Sequence, residues 1–478
     1  MVQVILINSP TNFPDGKEFI VDATSAPPLG ILYLAAYLQQ QGVSVKILDP
    51  YPQRLSLEDI LIEVENEQPV IVGISSMTPG IRNAVIIASA IKEKFGNMPY
   101  IGIGGIHASC DISFIERYSV FDFQVIGEGE ITFHEIVQCV LSGEKLEKLY
   151  YGKQYPDIDD LPFVDRELLG GIRYVGPHDA SEANKRETAS MLATRGCPFE
   201  CVFCSKPPQR KKVRNRSAKN IVDEMEELAK KYGIKHVDFI DDNIGLESEW
   251  LIGLGDEILT RGLTMEWSAQ MRATDAKDEV FKKISEAGCR AIFFGIESGS
   301  ERIRNRIIRK GVRDKDIINA TNLCRKYGIE SNFYLMMGFP TETKEDLKAT
   351  GDIGIRTKAD IIGIHLTKIL PGSKLFDIAV NEGKIDKDIT DKFIRGEIGT
   401  DWTSAWPTYI PEGLTINDLI DAKKSAYRRF YFRFGWMLQR YYSKPIRIIS
   451  DLKHLRVAAN VLLFGATKSA IDSRLKNL

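Results

Sequence analysis

Two stretches of the chain alternate short apolar runs with amphipathic segments, a pattern typical of strands that are each followed by a helix. The first stretch begins with VQVILINSP and PLGILYLAAYLQQQG, and it predicts about five strands. Each crossover between parallel strands must pack back on the sheet, so helices should cover both faces. We therefore predict a doubly wound, Rossmann-like parallel sheet as a first α/β domain over residues 1–145.

A second alternation extends from Thr188 to about Leu370 and contains about six units of strand and helix. Units of this kind curl into an open, partial (β/α)6 barrel, whose chemistry lies at the carboxyl ends of its strands. We assign this barrel to residues 187–375. Residues 146–186, which precede it, are rich in Pro, Gly and Asp and are predicted to be a linker.

The last stretch, residues 376–478, loses the alternation and is predicted to form a small, mainly helical domain. Within it, apolar residues recur at spacings of three and four, opposite a row of arginines. Such an amphipathic helix either covers a core or makes a peripheral contact with an anionic membrane. Its apolar face contains Tyr427, Phe430, Tyr431, Phe434, Met437, Leu438 and Tyr441.

Composition narrows the class of protein. Apolar residues make up 44% of the chain and charged residues 27%, as in a soluble globular protein. The formal net charge is only -2, which disfavours nucleic acid as a partner. The first residues lack a secretion signal and no apolar run approaches ~18 residues, so we expect a cytoplasmic protein. A basic run at residues 210–216 is predicted to be a solvated face or, second, a contact for phosphate or carboxylate.

Three of the seven cysteines lie in the segment TRGCPFECVFCSK, directly after the first strand of the second alternation. An odd number of unevenly spread cysteines disfavours a disulfide framework. Three thiolates suit a four-iron cluster in which one iron keeps open positions for a ligand from solution. A zinc site is the alternative, although no second Cys-x2-Cys pair follows. The candidate metal ligands are Cys197, Cys201 and Cys204.

With Phe203, these cysteines match Cys-x3-Cys-x-aromatic-Cys, so the segment resembles the radical S-adenosylmethionine (SAM) superfamily. The resemblance implies a 4Fe-4S cluster whose unique iron binds the amino and carboxylate groups of SAM. One-electron reduction would then give a 5′-deoxyadenosyl radical that abstracts hydrogen. A low-potential reductant such as flavodoxin or ferredoxin is the partner implied for this step.

Later strand ends also resemble that superfamily, in the segments FIDDN, WSAQMRAT, GIESGS and GFPTET. Physically, SAM needs hydroxyl or carboxylate partners for its ribose, a cation for its carboxylate and an apolar wall for adenine. Asp241 is alternatively a helix cap, Arg272 a surface ion pair, and Glu297 with Ser298 an N-cap. The residues that we expect to bind SAM are Phe203, Asp241, Arg272, Gly295, Glu297, Ser298 and Gly338.

The first domain has small, polar residues at its strand ends, in GISSMTP, GGIHAS and GEGE. A doubly wound domain before such a barrel resembles the cobalamin-binding branch of the superfamily, which includes methylases and the anaerobic magnesium-protoporphyrin ester cyclase. That resemblance implies cobalamin as a further cofactor. The residues expected to contact it are Ser75, Ser76, Thr78, Gly104, Gly105, His107, Gly127, Glu128, Gly129 and Glu130.

The first strand is followed by INSPTNFPDG, where methionine-synthase-type domains have Asp-x-His-x-x-Gly. No histidine in this segment can therefore be the lower ligand of cobalt. The resemblance implies cobalamin that is gripped mainly by backbone groups. His107 is either a contact or a loop histidine whose hydrogen bonds are satisfied within the protein.

The resemblance implies first that the protein methylates an unactivated carbon. The radical would take hydrogen from that carbon and methylcobalamin would transfer a methyl group, with SAM as both radical source and methyl donor. Radical cyclisation or rearrangement without methyl transfer is the alternative for an enzyme. A cobalamin-dependent regulator with an inert cluster, or simple electron transfer, are alternatives of another class. The substrate would be a small or lipid-like molecule.

Overall fold

The computed structural model describes residues 2–13, 26–170, 187–399 and 406–433. Within these ranges the chain forms two six-stranded parallel sheets and a two-stranded antiparallel ribbon. The predicted α/β fold is confirmed, with a Rossmann-like sheet first and a second parallel sheet after it.

The first sheet has the strand order β2-β1-β3-β4-β5-β6. Its strands are β1 (Val4–Asn8), β2 (Val45–Leu48), β3 (Ile71–Ser75), β4 (Tyr100–Gly104), β5 (Phe123–Ile126) and β6 (Leu149–Tyr151). The helices between and after these strands are α1 (Leu29–Gln40), α2 (Pro50–Gln53), α3 (Leu57–Glu67), α4 (Ile81–Phe95), α5 (Gly105–Cys110), α6 (Phe114–Arg117) and α7 (Glu130–Ser142). Strand β6 lies within the predicted linker, so this sheet has one strand more than the periodicity predicted.

Helices cover both faces of this sheet, which is why its strands are apolar at consecutive positions. Leu6 packs in the cluster under α1 and α7, whereas Ile5 packs in the cluster under α4. Glycine makes room for large rings on the strands: a Cβ at Gly102 would lie 2.3 Å from the ring of Phe123. The edge at which β1, β3, β4 and β5 end therefore stands on a tightly filled core.

The second sheet has the order β14-β13-β12-β11-β10-β7, in which every neighbouring pair is parallel. Its strands are β7 (Thr188–Met191), β10 (His236–Phe239), β11 (Glu266–Met271), β12 (Cys289–Glu297), β13 (Glu330–Met337) and β14 (Ile361–Leu366). The crossover helices are α8 (Ala218–Tyr232), α9 (Ser248–Thr260), α10 (Asp278–Glu286), α11 (Asp314–Lys326) and α12 (Lys344–Thr357). Between β7 and α8, the ribbon pairs β8 (Thr194–Arg195) with β9 (Arg214–Asn215) and closes the base of the cysteine loop.

The described part of the C-terminal region is mainly helical, as predicted, and packs on both sheets' helices. It contains α13 (Lys374–Asn381), α14 (Ile389–Arg395) and α15 (Ile416–Tyr431). Phe393 of α14 joins the apolar cluster under α4. On the other side, the hydroxyl of Tyr427 accepts the Ile364 amide at 2.9 Å, so α15 covers the free edge of β14.

The first half of the predicted amphipathic helix thus covers a core. Phe430 and Tyr431 pack in the cluster of the second sheet. Phe434, Met437, Leu438 and Tyr441 lie outside the described residues. Across the ranges given above, the structure contains no helix with the length and apolar character needed to span a membrane.

Candidate cofactor site between the two sheets

The cysteine loop is held in a tight fold by backbone contacts. Gly196 has φ +106, and a Cβ there would lie 2.2 Å from the carbonyl oxygen of Lys212, so only glycine fits. The Lys206 ammonium donates to the carbonyl oxygens of Cys197, at 2.6 Å, and of Phe199. The Cys197 amide donates to the Arg210 carbonyl at 2.7 Å. These bonds fix the path of the loop backbone.

The three thiols of the loop are free to bind a metal. All seven cysteines are free, with Cys197 and Cys201 half-buried and Cys204 exposed. In the described part of the chain, no three His, Cys, Asp or Glu side chains converge on a point that a single ion could occupy. A polynuclear cluster does not need such a point, because each cysteine binds a different iron.

A group of charged side chains links this loop to the ends of β11 and β12. The Arg272 guanidinium lies 3.5 Å from the ring centre of Phe199 and donates to the Lys310 carbonyl. The Lys310 ammonium donates to the Glu297 carboxylate at 2.6 Å, with both side chains buried. A Cβ at Gly295 would lie 2.7 Å from either partner. The structure therefore brings together Arg272, Gly295 and Glu297 beside the loop.

Phe203 points to the other side of the cysteine loop, where its ring centre lies 5.9 Å from that of Phe339. Cys201, Phe203 and Met336 pack against a small cluster that contains Phe339. This apolar surface lies next to the exposed Cys204. It has the character of the wall that an adenine ring requires.

Three expected SAM contacts have polar groups that are bonded to the protein itself. The buried Asp241 carboxylate accepts the amide of Ala193 at 3.0 Å and that of Thr194, and burial raises its pKa to about 6. Ser298 shares a hydrogen bond of 3.0 Å with Thr350. Asp241 is thus not a helix cap but an anchor for the backbone that leads into the cysteine loop.

Gly338, the third of these, marks a turn that a carboxylate holds. It has φ +102, and a Cβ there would lie 2.5 Å from the Tyr409 carbonyl. The Glu342 carboxylate accepts the Gly338 amide at 2.6 Å and the Phe339 amide at 3.0 Å. Burial raises the pKa of Glu342 to about 7.

Sequence reasoning missed Phe199, Lys206, Lys310 and Glu342. Phe199 and Lys206 were visible inside the cysteine segment, since both flank its metal ligands. Lys310 is reached from Glu297 through a π-helical turn at Ile303–Ile307, for which no spacing rule exists.

Small residues leave the backbone bare where the first sheet ends. Gly105 has φ +87, and a Cβ there would lie 2.7 Å from the Ser76 carbonyl. At Gly104 the nearest atom to a Cβ is 3.9 Å away, and at Gly129 nothing lies within 4 Å. Ser75 and Gly127 are also partly exposed at this edge. At the same edge, the apolar side chain of Met77 is 65% exposed, which is unusual. Sequence reasoning did not predict this exposure.

Other polar residues of this edge make hydrogen bonds within the protein. The Ser76 hydroxyl donates to the Met77 carbonyl at 2.8 Å. His107 is 0% exposed, and its Nδ1 lies 3.1 Å from the Thr78 hydroxyl. Burial lowers the pKa of His107 to about 4. His107 therefore presents no nitrogen at the surface, and the site suits a cofactor that is held by backbone groups.

Glu128 and Glu130 connect the two domains through Arg195, which directly precedes the cysteine loop. The Arg195 guanidinium lies 3.2 Å from the Glu128 carboxylate and 2.7 Å from that of Glu130. It also lies 5.0 Å from the ring centre of Tyr33 on α1. Arg214 donates to Glu128 as well. These carboxylates face the cysteine loop rather than the open edge of the first sheet.

The basic run at residues 210–216 is accordingly not a solvated face throughout. Arg214 is 8% exposed and Arg216 only 5% exposed. Arg216 is paired with the buried Glu224 at 2.6 Å. Both arginines bind carboxylates of the protein itself.

Comparison with known proteins identifies the two parts of this site. The B12 binding domain family matches residues 20–137, and the Radical SAM superfamily matches residues 191–352. An uncharacterised methyltransferase of Pyrococcus horikoshii is 30% identical over 450 residues, which cover 91% of this chain and 93% of the relative. The chain belongs to the cobalamin-binding radical SAM superfamily.

Further relatives of this radical SAM protein share both domains. The anaerobic magnesium-protoporphyrin IX monomethyl ester cyclase of Cereibacter sphaeroides is 25% identical over 87% of this chain and 69% of its own. The structure of the methyltransferase TsrM from Kitasatospora setae, with cobalamin and a [4Fe-4S] cluster bound, superposes with a TM-score of 0.63 at 18% identity, over 80% of this chain and 75% of its own. The structure of the cobalamin-dependent radical enzyme OxsB, with aqua-cobalamin and SAM bound, superposes with a TM-score of 0.68 at 16% identity. The match covers 97% of this chain and 75% of the OxsB chain. These two structures confirm the fold.

The protein is an enzyme whose cofactors are a 4Fe-4S cluster, SAM and cobalamin. The expectations for superfamily, enzyme class and cofactors are therefore confirmed. Membership of this enzyme superfamily argues against the two alternatives of a zinc site and of a regulator with an inert cluster.

Proposed function

We propose that this enzyme methylates an unactivated carbon of a small or lipid-like substrate, with SAM as both methyl donor and radical source. The observation that carries the proposal is the Arg195 contact, which docks the edge of the first sheet beside the cysteine loop. A methyl carrier and a radical source must reach the same carbon, so their supports must lie side by side. The methyltransferase relative from Pyrococcus horikoshii supports the same reaction.

Each cofactor has its own set of holding groups in this proposal. Cys197, Cys201 and Cys204 would hold the cluster. Backbone groups of Ser75, Gly104, Gly105, Gly127 and Gly129 would hold cobalamin, with Met77 as an apolar contact. When bound, the cluster supplies one electron for cleavage of SAM, and cobalamin supplies the methyl group. Flavodoxin or ferredoxin would deliver the electron.

The charged group beside the loop would bind and orient SAM. Arg272 is fixed by stacking on Phe199 and offers a buried Nε that has no partner within the described residues. That N–H is available to a carboxylate oxygen. The ion pair of Lys310 with Glu297 holds a carboxylate in place for ribose hydroxyls, and Phe203 with Phe339 would cover adenine.

A second candidate, radical cyclisation without methyl transfer, is favoured by the cyclase relative from Cereibacter sphaeroides. The two reactions differ in how they consume SAM. Methylation needs one SAM as methyl donor, which leaves S-adenosylhomocysteine, and another as radical source, which leaves methionine and 5′-deoxyadenosine. Cyclisation leaves only the latter pair.

The test is a product analysis with anaerobically purified enzyme, reconstituted with cluster and cobalamin. SAM and a low-potential reductant are added without substrate, and the products are measured by mass spectrometry. Methylation predicts about one S-adenosylhomocysteine per bound cobalamin, since one methyl group loads the carrier. The control is enzyme reconstituted without cobalamin, which should form none. Production of 5′-deoxyadenosine without any S-adenosylhomocysteine would overturn methylation in favour of cyclisation.

A further inference from the structure

The last three strands of the second sheet offer an aromatic wall inside the barrel. Phe294, Phe333 and Ile364 pack in the core with the surrounding helices, so their neighbours Phe293, Tyr334 and His365 point into the barrel. The rings of Phe293 and Tyr334 stack with centres 5.6 Å apart at 23°.

Beside this wall, Gly363 keeps a space open on β14. A Cβ at Gly363 would lie 3.8 Å from the Tyr334 ring and 4.0 Å from Nε2 of His365. The third near atom is the Phe333 carbonyl oxygen, at 3.9 Å. A carbon atom placed at this position would therefore be in van der Waals contact with both the wall and His365.

Lys423 reaches the same place from α15. Tyr431, Tyr427 and Lys423 follow one another at intervals of one helical turn, so they share one face of α15. The hydroxyls of Tyr431 and Tyr427 accept the amides of Ile362, at 3.2 Å, and Ile364, at 2.9 Å. One further turn of about 5.4 Å places Lys423 beside the carboxyl end of β14. That end carries the chemistry of a barrel.

The ammonium of Lys423 differs from the neighbouring cations, which are paired with carboxylates. At the same mouth Lys310 is paired with Glu297, and Arg302 with Asp346. Lys423 has no carboxylate partner within the described ranges, and its ammonium lies 6.0 Å from the ring centre of Tyr427. Lys423 is partly buried, and partial burial of an unpaired cation costs free energy that a bound anion offsets.

The pKa of His365 reflects charges on two other elements. Burial lowers the pKa of Lys423. His365 is exposed at the strand end, yet desolvation of its ring lowers its pKa, the charge of Lys423 lowers it further, and Glu297 raises it. The two basic groups thus lie within electrostatic reach of each other and of the candidate SAM site.

We propose that Lys423 and His365 form the anion-binding end of the substrate pocket, and that the substrate carries a carboxylate or phosphate next to a flat apolar portion. Lys423 supplies the charge and His365 an N–H donor, while the Phe293 and Tyr334 rings hold the flat portion. This assignment of substrate class rests on the proposed function, because it takes the barrel mouth to be the substrate site.

Ligand-observed fluorine NMR with full-length holoenzyme tests the pocket. Methionine and 5′-deoxyadenosine are added in excess so that the SAM site is filled. The probes are 4-fluorophenylphosphonate, 4-fluorobenzoate and the neutral 4-fluorobenzyl alcohol. At least one anion should bind tenfold more tightly than the alcohol. Lys423→Met should abolish that preference, and His365→Phe should weaken anion binding at least threefold. The preferred anion identifies the group that the substrate carries.

Lys424→Met is the matched control, because the next residue points about 100° away around the helix. It should bind all probes as the unaltered enzyme does. Equal binding of anions and alcohol, or unchanged anion binding in a folded Lys423→Met variant with normal cluster content, would overturn the pocket. The product test is independent of these arms. Anion selectivity without S-adenosylhomocysteine would retain the pocket and overturn methylation, and the reverse result would do the opposite.

Discussion

The two parallel sheets of this enzyme end in different chemistry. At the edge of the first sheet, Gly104 and Gly129 leave bare backbone, and the nearby carboxylates face the other domain. At the edge of the second sheet, Arg272, Lys310 and Glu297 form a compact group of charged side chains. A site made of backbone groups is disturbed by an added Cβ, whereas a site made of charged side chains is disturbed by the loss of a charge.

The difference matches the chemistry of the two cofactors. Cobalamin is large and carries many amide groups, which backbone N–H and C=O groups can meet at several points. SAM is small and charged, so a few placed charges and one apolar wall are enough to orient it. An added Cβ at the first edge should therefore affect cobalamin alone, and a lost charge at the second edge should affect SAM alone.

The largest effect is expected from the cysteine loop, on which both chemistries depend. Cys197→Ala removes one of the three thiolates that would bind the cluster. The variant should therefore lose the visible absorption of the cluster and form no 5′-deoxyadenosine. Ultraviolet-visible spectroscopy and product analysis measure both. Cys139→Ala is the control, because Cys139 lies on α7 of the first domain and bonds Glu144. Persistent 5′-deoxyadenosine in Cys197→Ala would refute the assignment of the cluster.

The next largest effect tests the bare backbone of the first sheet. Gly105→Ala places a Cβ 2.7 Å from the Ser76 carbonyl at φ +87, a conformation that costs alanine roughly 1–2 kcal/mol. The strand end must shift, so bound cobalamin should fall about tenfold while cluster content stays normal. Gly30→Ala on α1, where nothing lies within 4 Å, is the control. Normal cobalamin content in Gly105→Ala would show that this edge does not grip the cofactor.

The converse change removes a charge from the second sheet. Lys310→Met leaves Glu297 buried without its partner, and breaking such a pair costs about 3–5 kcal/mol. Affinity for SAM, measured by equilibrium dialysis, should fall about tenfold, whereas cobalamin content should not change. Lys326→Met is the control, since its pair with Asp278 is exposed. A SAM affinity equal to that of the control would contradict the role of the pair.

A smaller effect is expected at the contact between the sheets. Arg195→Met should keep both cofactors but lower the ratio of S-adenosylhomocysteine to 5′-deoxyadenosine several-fold, because Glu130 loses its cation and the edge of the first sheet shifts. Arg195→Lys should restore part of the ratio. Lys374→Met removes an exposed pair with Glu200 on the same loop and should change nothing. An unchanged ratio in Arg195→Met would show that the contact does not position the cofactors.

Sequence reasoning found what is local or periodic in this molecule. Doubly buried strands are continuous apolar runs, so the alternation predicted both parallel sheets. The three cysteines lie within eight residues, and their resemblance to the radical SAM motif implied a cluster. The three residues of β6, Leu149–Tyr151, were too few to show a period, so they were predicted to be linker.

The direction of polar side chains could not be predicted from spacing. Glu128 and Arg195 are 67 positions apart and meet only because two domains dock. Asp241 and Ser298 stand at strand ends, as predicted, yet their side chains turn to protein groups. Whether such a group faces a ligand or the backbone depends on burial and on neighbours from other elements, which a single stretch of sequence does not contain.

The smallest effect concerns stability, at the turn that Glu342 holds. Its pKa is raised from 4.5 to about 7 because the carboxyl is buried. A raised carboxyl pKa means that the folded state binds the proton more tightly than the unfolded chain. The stabilisation is therefore complete below about pH 4.5 and is lost as the pH rises through 7. At about 1.4 kcal/mol per pKa unit, the loss is on the order of 3 kcal/mol.

Glu342→Gln keeps the shape of the side chain and an oxygen that accepts the Gly338 amide, but it does not titrate. At pH 5 the variant and the unaltered enzyme should therefore have similar unfolding temperatures. At pH 8 the variant should unfold several degrees higher than the unaltered enzyme. Differential scanning calorimetry of both proteins measures these temperatures. Glu345→Gln, in the first turn of α12, is the control, because backbone hydrogen bonding lowers the pKa of Glu345 and gives the opposite sign. The same difference in unfolding temperature at both pH values would mean that Glu342 is ionised throughout. The two amides would then hold a charged carboxylate, which would add a further fixed charge to the edge of the second sheet.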